Sequence, residues 1–324
     1  MDGKLLRVAD LRVHYSTFEG TVHAVNGLSF ELDAGKTIGL VGESGAGKTT
    51  SVLSILRLVP APPGKIVGGS IFFEGQNLLE LDESAMKGLR GNKISMIFQD
   101  PMTSLNPVVS VGLQIAEAIE AHQKVSAAEA RKRAEAMLEK VQIPCRRVQE
   151  FPHEFSGGMR QRVVIAMALA CNPKLIMADE PTTALDVTIQ AQVLELMKDL
   201  RQEFGTAMIM ITHDLGVVGE VCDDVAVMYA GEVVEEGSVE DIFDAPRHPY
   251  TVGLFGCIPS LEEEFSVIKP IKGLMPDPLA NPVGCPFAPR CDQQRPICLQ
   301  ERPGRRRVGR QWVRCHLYGE NEGR

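Results

Sequence analysis

Apolar and polar positions alternate loosely through residues 5–15 and again through 22–32, with a polar turn between them. That two-residue period predicts a pair of half-buried strands. The pattern then tightens into short, almost wholly apolar runs at 37–41, 93–98, 174–179, 207–212 and 225–229. Runs of this length predict strands buried on both faces. Between them the spacing turns helical. Residues 49–58 read as a helix closed by Pro60, Pro62 and Pro63. Residues 111–141 hold a longer helical stretch in which Ser126-Ala127-Ala128-Glu129 has the form of a capping box. Ala130, Ala134, Met137, Leu138 and Val141 then recur at helical intervals. Helices are also predicted at 163–171 and 191–203. A short strand over 70–74 ends at Gly75-Gln76-Asn77, and a hairpin turning at Ala230-Gly231 joins 225–229 to 232–235. Strands alternating with helices predict an α/β fold with a largely parallel sheet covered on both faces. The helical stretch between the strands at 93–98 and 174–179 predicts an inserted helical subdomain.

The loop after the strand at 37–41 carries the first chemistry. Gly42-Glu43-Ser44-Gly45-Ala46-Gly47-Lys48-Thr49 fits G-x-x-x-x-G-K-[ST], a phosphate-binding loop between a strand and a helix, with Thr50 following in that helix. Glycines let backbone N–H groups close around phosphates where side chains would block the approach. The helix N-terminus adds partial positive charge. Lys48 brings a point charge to the terminal phosphates and Thr49 a hydroxyl to Mg²⁺. The motif implies binding of a nucleoside triphosphate with Mg²⁺.

Two other strand ends extend this chemistry. The apolar run at 174–179 ends in Asp179-Glu180: Asp179 is placed to hold Mg²⁺, and Glu180 to orient an attacking water and take its proton. His213 follows the run at 207–212 and is a candidate partner for the γ-phosphate and for the water-positioning carboxylate. Gln99 ends the run at 93–98, with the reach to serve Mg²⁺ or the water. Tyr15, near the end of the first strand, either stacks on a nucleotide base or is a half-buried strand tyrosine.

Composition narrows the class. Apolar residues make up 44% and charged residues 23% of 324 positions, as in a globular protein. No apolar run reaches the ~18 residues of a membrane span, and Met1-Asp2-Gly3-Lys4 does not open a secretory signal. The expectation is a cytosolic protein, or one held at a membrane by partners. A net charge of −8 argues against nucleic-acid binding. Arg302, Arg305, Arg306, Arg307 and Arg310 are read as a solvated basic tail. Cys285, Cys291, Cys298 and Cys315 crowd the C-terminal part, with five, six and sixteen residues between them. Four thiolates suit Zn²⁺ or a [4Fe–4S] cluster, the gaps being wider than those of zinc knuckles; the alternative is no metal.

Five elements in one order (the phosphate loop, Gln99, Phe155-Ser156-Gly157-Gly158-Met159-Arg160-Gln161-Arg162, the strand ending in Asp179-Glu180, and His213) resemble the nucleotide-binding subunit of an ABC transporter. The Ser156-Gly157-Gly158 segment resembles that family's signature, with Phe155 and Met159 in place of the usual leucine and glutamine. Ala184-Leu185-Asp186 resembles its D-loop, and Tyr15 its adenine-stacking aromatic. The resemblance implies a P-loop NTPase fold with an antiparallel β subdomain, ATP hydrolysis, and a head-to-tail dimer in which Ser156, Gly157 and Gly158 cap the partner's ATP.

Longer strings, Ile97-Phe98-Gln99-Asp100-Pro101-Met102-Thr103-Ser104-Leu105-Asn106-Pro107, Arg247-His248-Pro249-Tyr250-Thr251 and Cys285-Pro286-Phe287-Ala288-Pro289-Arg290-Cys291, resemble the oligopeptide, dipeptide and nickel importer branch. That branch implies two membrane permeases, a substrate-binding protein, a second related ATPase chain, a peripheral place on the cytoplasmic face of the inner membrane, and a [4Fe–4S] cluster on the four C-terminal cysteines. Peptides are the implied cargo, with nickel or glutathione-type cargo as the alternative. A soluble ABC ATPase outside transport is the rival within the fold. The implied boundaries are an ATPase domain over 1–240, with its helical subdomain at about 103–165, and an extension over 241–324.

Overall fold

The computed structural model describes residues 3–183, 185–257, 271–280 and 282–319. In chain order its strands and helices are β1 (Lys4–Thr17), β2 (Gly20–Asp33), β3 (Thr37–Val41), α1 (Lys48–Ile55), β4 (Gly64–Phe73), β5 (Gln76–Asn77), α2 (Glu83–Leu89), β6 (Ile94–Ile97), α3 (Pro101–Ser104), α4 (Val111–His122), α5 (Ala127–Lys140), α6 (Gly157–Leu169), β7 (Leu175–Asp179), α7 (Val187–Phe204), β8 (Ala207–Thr212), α8 (Leu215–Val221), β9 (Asp224–Tyr229), β10 (Glu232–Ser238), α9 (Val239–Asp244), α10 (Pro249–Phe255), β11 (Arg306–Val308) and β12 (Gln311–Val313). Among the described residues no helix is long and apolar enough to cross a membrane.

The chain divides into two units. One comprises Met1–Leu5, Leu32–Thr37 and Asn77–Thr212. Its strands run in the order β8-β7-β6, all parallel, with Ile94 opposite Leu175 and Asp179 opposite Ile211. Every residue of β7 and β8 is buried, as their unbroken apolar sequences require. The helical stretch over 111–141 is two helices, the second starting at the expected cap: α4 stops at His122, and Ser126 starts α5 by accepting a hydrogen bond from the Glu129 N–H at 3.3 Å. Ala130, Ala134 and Leu138 of α5 are fully buried, so the expected stripe is its packed face. α7 ends where Gly205 takes the left-handed conformation at φ 63°.

The other unit comprises Leu6–Glu31, Ile38–Gln76 and His213–Arg324. It carries β1 paired antiparallel with β4, from Leu6 opposite Phe73 to Tyr15 opposite Gly64, with the register shifting on either side of Arg12. β4 begins well before the expected short strand because Ile66 and the glycines around it continue the pairing. A second group of strands runs β11-β12-β10-β9-β3, in which β3 and β9 are parallel and the rest antiparallel. The expected hairpin at Ala230-Gly231 is β9 and β10, with Tyr229 opposite Glu232.

The arginine-rich segment is not wholly a solvated tail. It forms β11 and the strand's approach, and Arg302 and Arg305 are matched by glutamates of β10, while Arg307 and Arg310 are exposed. Arg302 pairs with the buried Glu232, and Arg305 meets Glu236 at 2.6 Å while lying over the Trp312 ring at 4.7 Å. Periodicity missed this because the contacts join residues about seventy apart in the chain.

Candidate functional site

β3 delivers the chain into the phosphate loop, and the backbone there is packed too tightly for side chains. A Cβ on Gly42 would stand 2.2 Å from the Met228 carbonyl oxygen, and one on Gly47 would stand 2.4 Å from that of Ala24. Gly47, at φ 95°, opens α1 without a side-chain cap, so the helix N-terminus with its partial positive charge begins inside the loop. The loop is braced from behind: the Gly231 N–H donates to the Ala46 carbonyl at 3.0 Å, and the Asn26 N–H donates to Gly231 at 2.8 Å. Lys48, only 7% exposed, donates through Nζ to the carbonyls of Gly42 at 2.6 Å and Glu43 at 3.0 Å.

Tyr15 stands half-buried on β1, its hydroxyl 3.4 Å from Thr50 Oγ1. Gly64 makes room for its ring: a Cβ there would meet Tyr15 Cε1 at 2.8 Å. Tyr15, Val22, Ala24, Gly45 and Thr50 line a cavity of about 270 Å³, walled on its far side by Met275 and Pro278 of the C-terminal segment. An aromatic ring, a valine and the phosphate-loop edge around one cavity suit a purine.

In the other unit, Asp179 is 5% exposed at the end of β7. Glu180 follows at φ 46°, a left-handed backbone uncommon for a glutamate and held by its N–H donating to the Ile211 carbonyl at 2.9 Å. Gln99 Nε2 donates to Glu180 Oε2 at 3.0 Å, so two residues eighty-one positions apart share one carboxylate. Thr183 Oγ1 donates to the same oxygen at 2.9 Å. Thr183 was not foreseen. Its signal is its place on the turn three residues after Glu180.

Ser156 caps α6 by accepting from the Met159 N–H at 3.4 Å, and Ser156 and Gly157 are exposed. Phe155, in the leucine position of the signature, is buried under the Arg147 guanidinium, 4.3 Å from its ring. Arg147 is itself held by Glu150 at 2.6 Å. Phe155 therefore anchors the segment while Ser156-Gly157 faces outward. Asp186 caps α7, accepting from the Ile189 N–H at 3.0 Å, and Ala184 lies outside the described residues. His213 is exposed directly after β8, and Asp214 caps α8 through the Gly216 N–H at 2.8 Å.

Cys285, Cys291, Cys298 and Cys315 line one small cavity with His248, Phe287 and His316. Burial pushes the Cys285 thiol up to about 11, and the neighbouring Cys298 and Cys315 act in the same direction. Burial likewise raises Cys291 and Cys315. Four cysteines around one cavity match a thiolate-bound cluster in donor type alone, and the raised pKa values of Cys285, Cys291 and Cys315 favour the protonated thiols. Among the described residues, no three His, Cys, Asp or Glu side chains are grouped so as to hold a metal ion.

Comparison with known proteins agrees with this layout. A profile of the ABC transporter family matches residues 25–183, and one of the oligopeptide/dipeptide transporter C-terminal region matches residues 234–298. The chain is 54% identical over 306 residues to the oligopeptide transport ATP-binding protein OppD of Bacillus subtilis, covering 93% of this chain and 85% of that one. It is 51% identical to the dipeptide transport ATP-binding protein DppD of the same organism, covering 93% and 90%. Among solved structures it resembles the dimeric ATP-binding cassette MJ0796 in a post-hydrolysis state with ADP and phosphate. That match has a TM-score of 0.65 and 28% identity, over 72% of this chain and 98% of that one. A cassette with a phosphate loop, a Gln99–Glu180 pair, a capped Ser-Gly-Gly helix and this C-terminal region belongs to the ABC transporter ATP-binding subunits of the oligopeptide/dipeptide family.

Proposed function

We propose that this chain hydrolyses ATP to power peptide uptake through two membrane permeases fed by a substrate-binding protein. The observation that carries the reading is the Glu180 carboxylate held by Gln99 and Thr183, a base kept ready to receive a proton. The sequence relatives named for oligopeptide and dipeptide transport supply the cargo class.

Lys48 and the amides of the phosphate loop bind the β- and γ-phosphates, and Tyr15 flanks the base. Thr49, Asp179 and Gln99 would hold Mg²⁺, which when bound would neutralise charge developing on the phosphates. Glu180 orients a water and takes its proton as the water oxygen bonds to the γ-phosphorus. The bond to the bridging oxygen breaks, leaving ADP and phosphate. His213 donates to the γ-phosphate. Ser156, Gly157 and Gly158 cap the nucleotide of a second ATPase chain, with Asp186 at the same interface, so ATP closes the dimer and hydrolysis reopens it. Residues 1–240 form the ATPase domain in this reading. The extension over 241–324 carries a [4Fe–4S] cluster on Cys285, Cys291, Cys298 and Cys315, supported by four thiols around one cavity. The subunit works at the cytoplasmic face of the inner membrane, held there by its permeases.

Reconstitution of the chain with its two permeases and second ATPase chain in vesicles tests the reading. Labelled di- or oligopeptide should enter in an ATP-dependent manner once the binding protein is added. Intact ATP hydrolysis with nickel but no peptide transported would overturn the cargo. Iron and acid-labile sulfide in anaerobically purified protein test the cluster: four of each per chain support it, and zinc or no metal contradicts it.

A further inference from the structure

Two sequence strings that the catalytic scheme does not use, the one around Tyr250 and the one between Cys285 and Cys291, converge on a single residue of the phosphate loop. Arg290 Nη1 donates to both carboxylate oxygens of Glu43, at 3.0 and 3.1 Å. The Arg290 side chain is 6% exposed and that of Glu43 30%. Tyr250 accepts the Glu43 N–H through its hydroxyl at 2.9 Å. The Glu43 carbonyl in turn accepts from Lys48 Nζ. Every polar group of Glu43 is thus engaged, and its carboxylate is held by the residue adjoining Cys291.

The arginine is firmly placed. Its Nε donates to the Lys272 carbonyl at 3.0 Å, its Nη1 approaches the Tyr229 hydroxyl at 3.3 Å, and its guanidinium lies 5.8 Å from the Tyr229 ring. Tyr229, Tyr250 and Phe287 pack together with ring centroids 4.7 to 5.5 Å apart, and this cluster also receives Cys285 and Cys291. The electrostatics give the pairing a purpose. Glu43 occupies an unconstrained position of the phosphate-loop motif, next to where a polyanion must bind, and an unpaired carboxylate there repels it. A fork-shaped cation with little exposure cancels that charge and fixes the loop's first turn at once.

We propose that Arg290 is a positioning residue of the ATP site: by neutralising and holding Glu43 it sets the phosphate loop for the triphosphate, making the cysteine-bearing extension a working part of nucleotide binding. The inference rests on the ATP-site reading above. It places no demand on what the cysteines carry.

The test uses the purified full chain with Mg-ATP, measuring affinity by calorimetry, KM and kcat by phosphate release, and folding by melting temperature. The parent must bind ATP, and Lys48→Ala must lose that binding; failure of either defeats the ATP-site reading itself. Given those, Arg290→Gln should weaken binding and raise KM about tenfold with kcat near the parent, the loss shrinking at high salt. Arg290→Gln combined with Glu43→Gln should recover most of the affinity, because the repelling charge is gone. Arg290→Lys should fall between parent and Arg290→Gln. Parent-like affinity in Arg290→Gln, or a double variant no better than the single one, would overturn the inference. Should Arg290→Gln fail to fold, Arg290→Lys decides. It keeps the charge and loses the two-pronged grip on Glu43, so ATP should bind more weakly than to the parent, and parent-like affinity would overturn the proposal.

Discussion

Gln99 and Glu180 share a hydrogen bond of 3.0 Å, and the glutamate's receiving oxygen also takes one from Thr183 at 2.9 Å. Both donors act on Oε2, so the carboxylate is gripped from two sides at one oxygen. Because Glu180 also stands at a left-handed backbone position, its carboxylate is aimed by the fold as well as by its neighbours. The orientation of the carboxylate is set by these contacts within the chain.

Gln99→Ala removes one of the two aiming bonds and a ligand candidate for Mg²⁺. ATP turnover should fall about ten- to a hundredfold, the usual penalty for a misaimed group. ATP affinity should change little, since the phosphate loop is untouched. Equilibrium binding and steady-state turnover on the same preparation read both; a loss confined to affinity would contradict the assignment.

Gly157 separates folding from function in the signature. A Cβ there meets only Leu185 Cδ2, at 3.7 Å, an ordinary contact, whereas one on Gly158 would stand 2.4 Å from Ile189 Cγ2. Folding therefore has no steric need for glycine at 157, and Gly157→Ala should hold or raise stability by about 0.5 kcal/mol. Its ATP turnover should nevertheless fall sharply, because the methyl group intrudes where a partner's terminal phosphate docks. Gly158→Ala should lower the melting temperature as well. Full activity in Gly157→Ala would count against the capping role.

His14 and His23 face one another at 3.1 Å beside the base cavity. Burial first, then the charges of His23 and Arg12, hold the His14 pKa below its ordinary 6.5. Just below pH 6.5 the unfolded chain therefore binds a proton that the folded chain refuses. Stability rises with pH through that window and is level above it. Urea unfolding at pH 5.5 and 7.5 should show lower stability at the acid end, and His14→Asn should reduce the difference. An unchanged difference would remove His14 from the cause.

Much of the candidate site was legible because its signals are local. The Gly42–Thr49 motif, the apolar run ending in Asp179-Glu180 and the capped glycines at 157 and 158 each lie within a few consecutive residues. The same holds for the hairpin at Ala230-Gly231, whose turn residues announce it. What stayed hidden depends on long-range pairing. The Arg302 and Arg305 ion pairs and the β11–β12 strands look like a basic tail until Glu232 and Glu236 are brought alongside. Thr183 passes unmarked in a turn, and Arg290 stands only as one position of the string from Cys285 to Cys291. Neither carries a periodic or compositional mark of its task, because the task is defined by a residue far away in the chain or by a side-chain direction.

The account turns on Glu180 as the group that takes the proton from water. Single-turnover hydrolysis and equilibrium ATP binding should be measured for Glu180→Gln, which keeps the size and the Gln99 contact but cannot accept a proton. Binding should match the parent while hydrolysis falls by about 10²- to 10⁴-fold, the range for loss of a general base. Hydrolysis at the parent rate by Glu180→Gln would contradict the account.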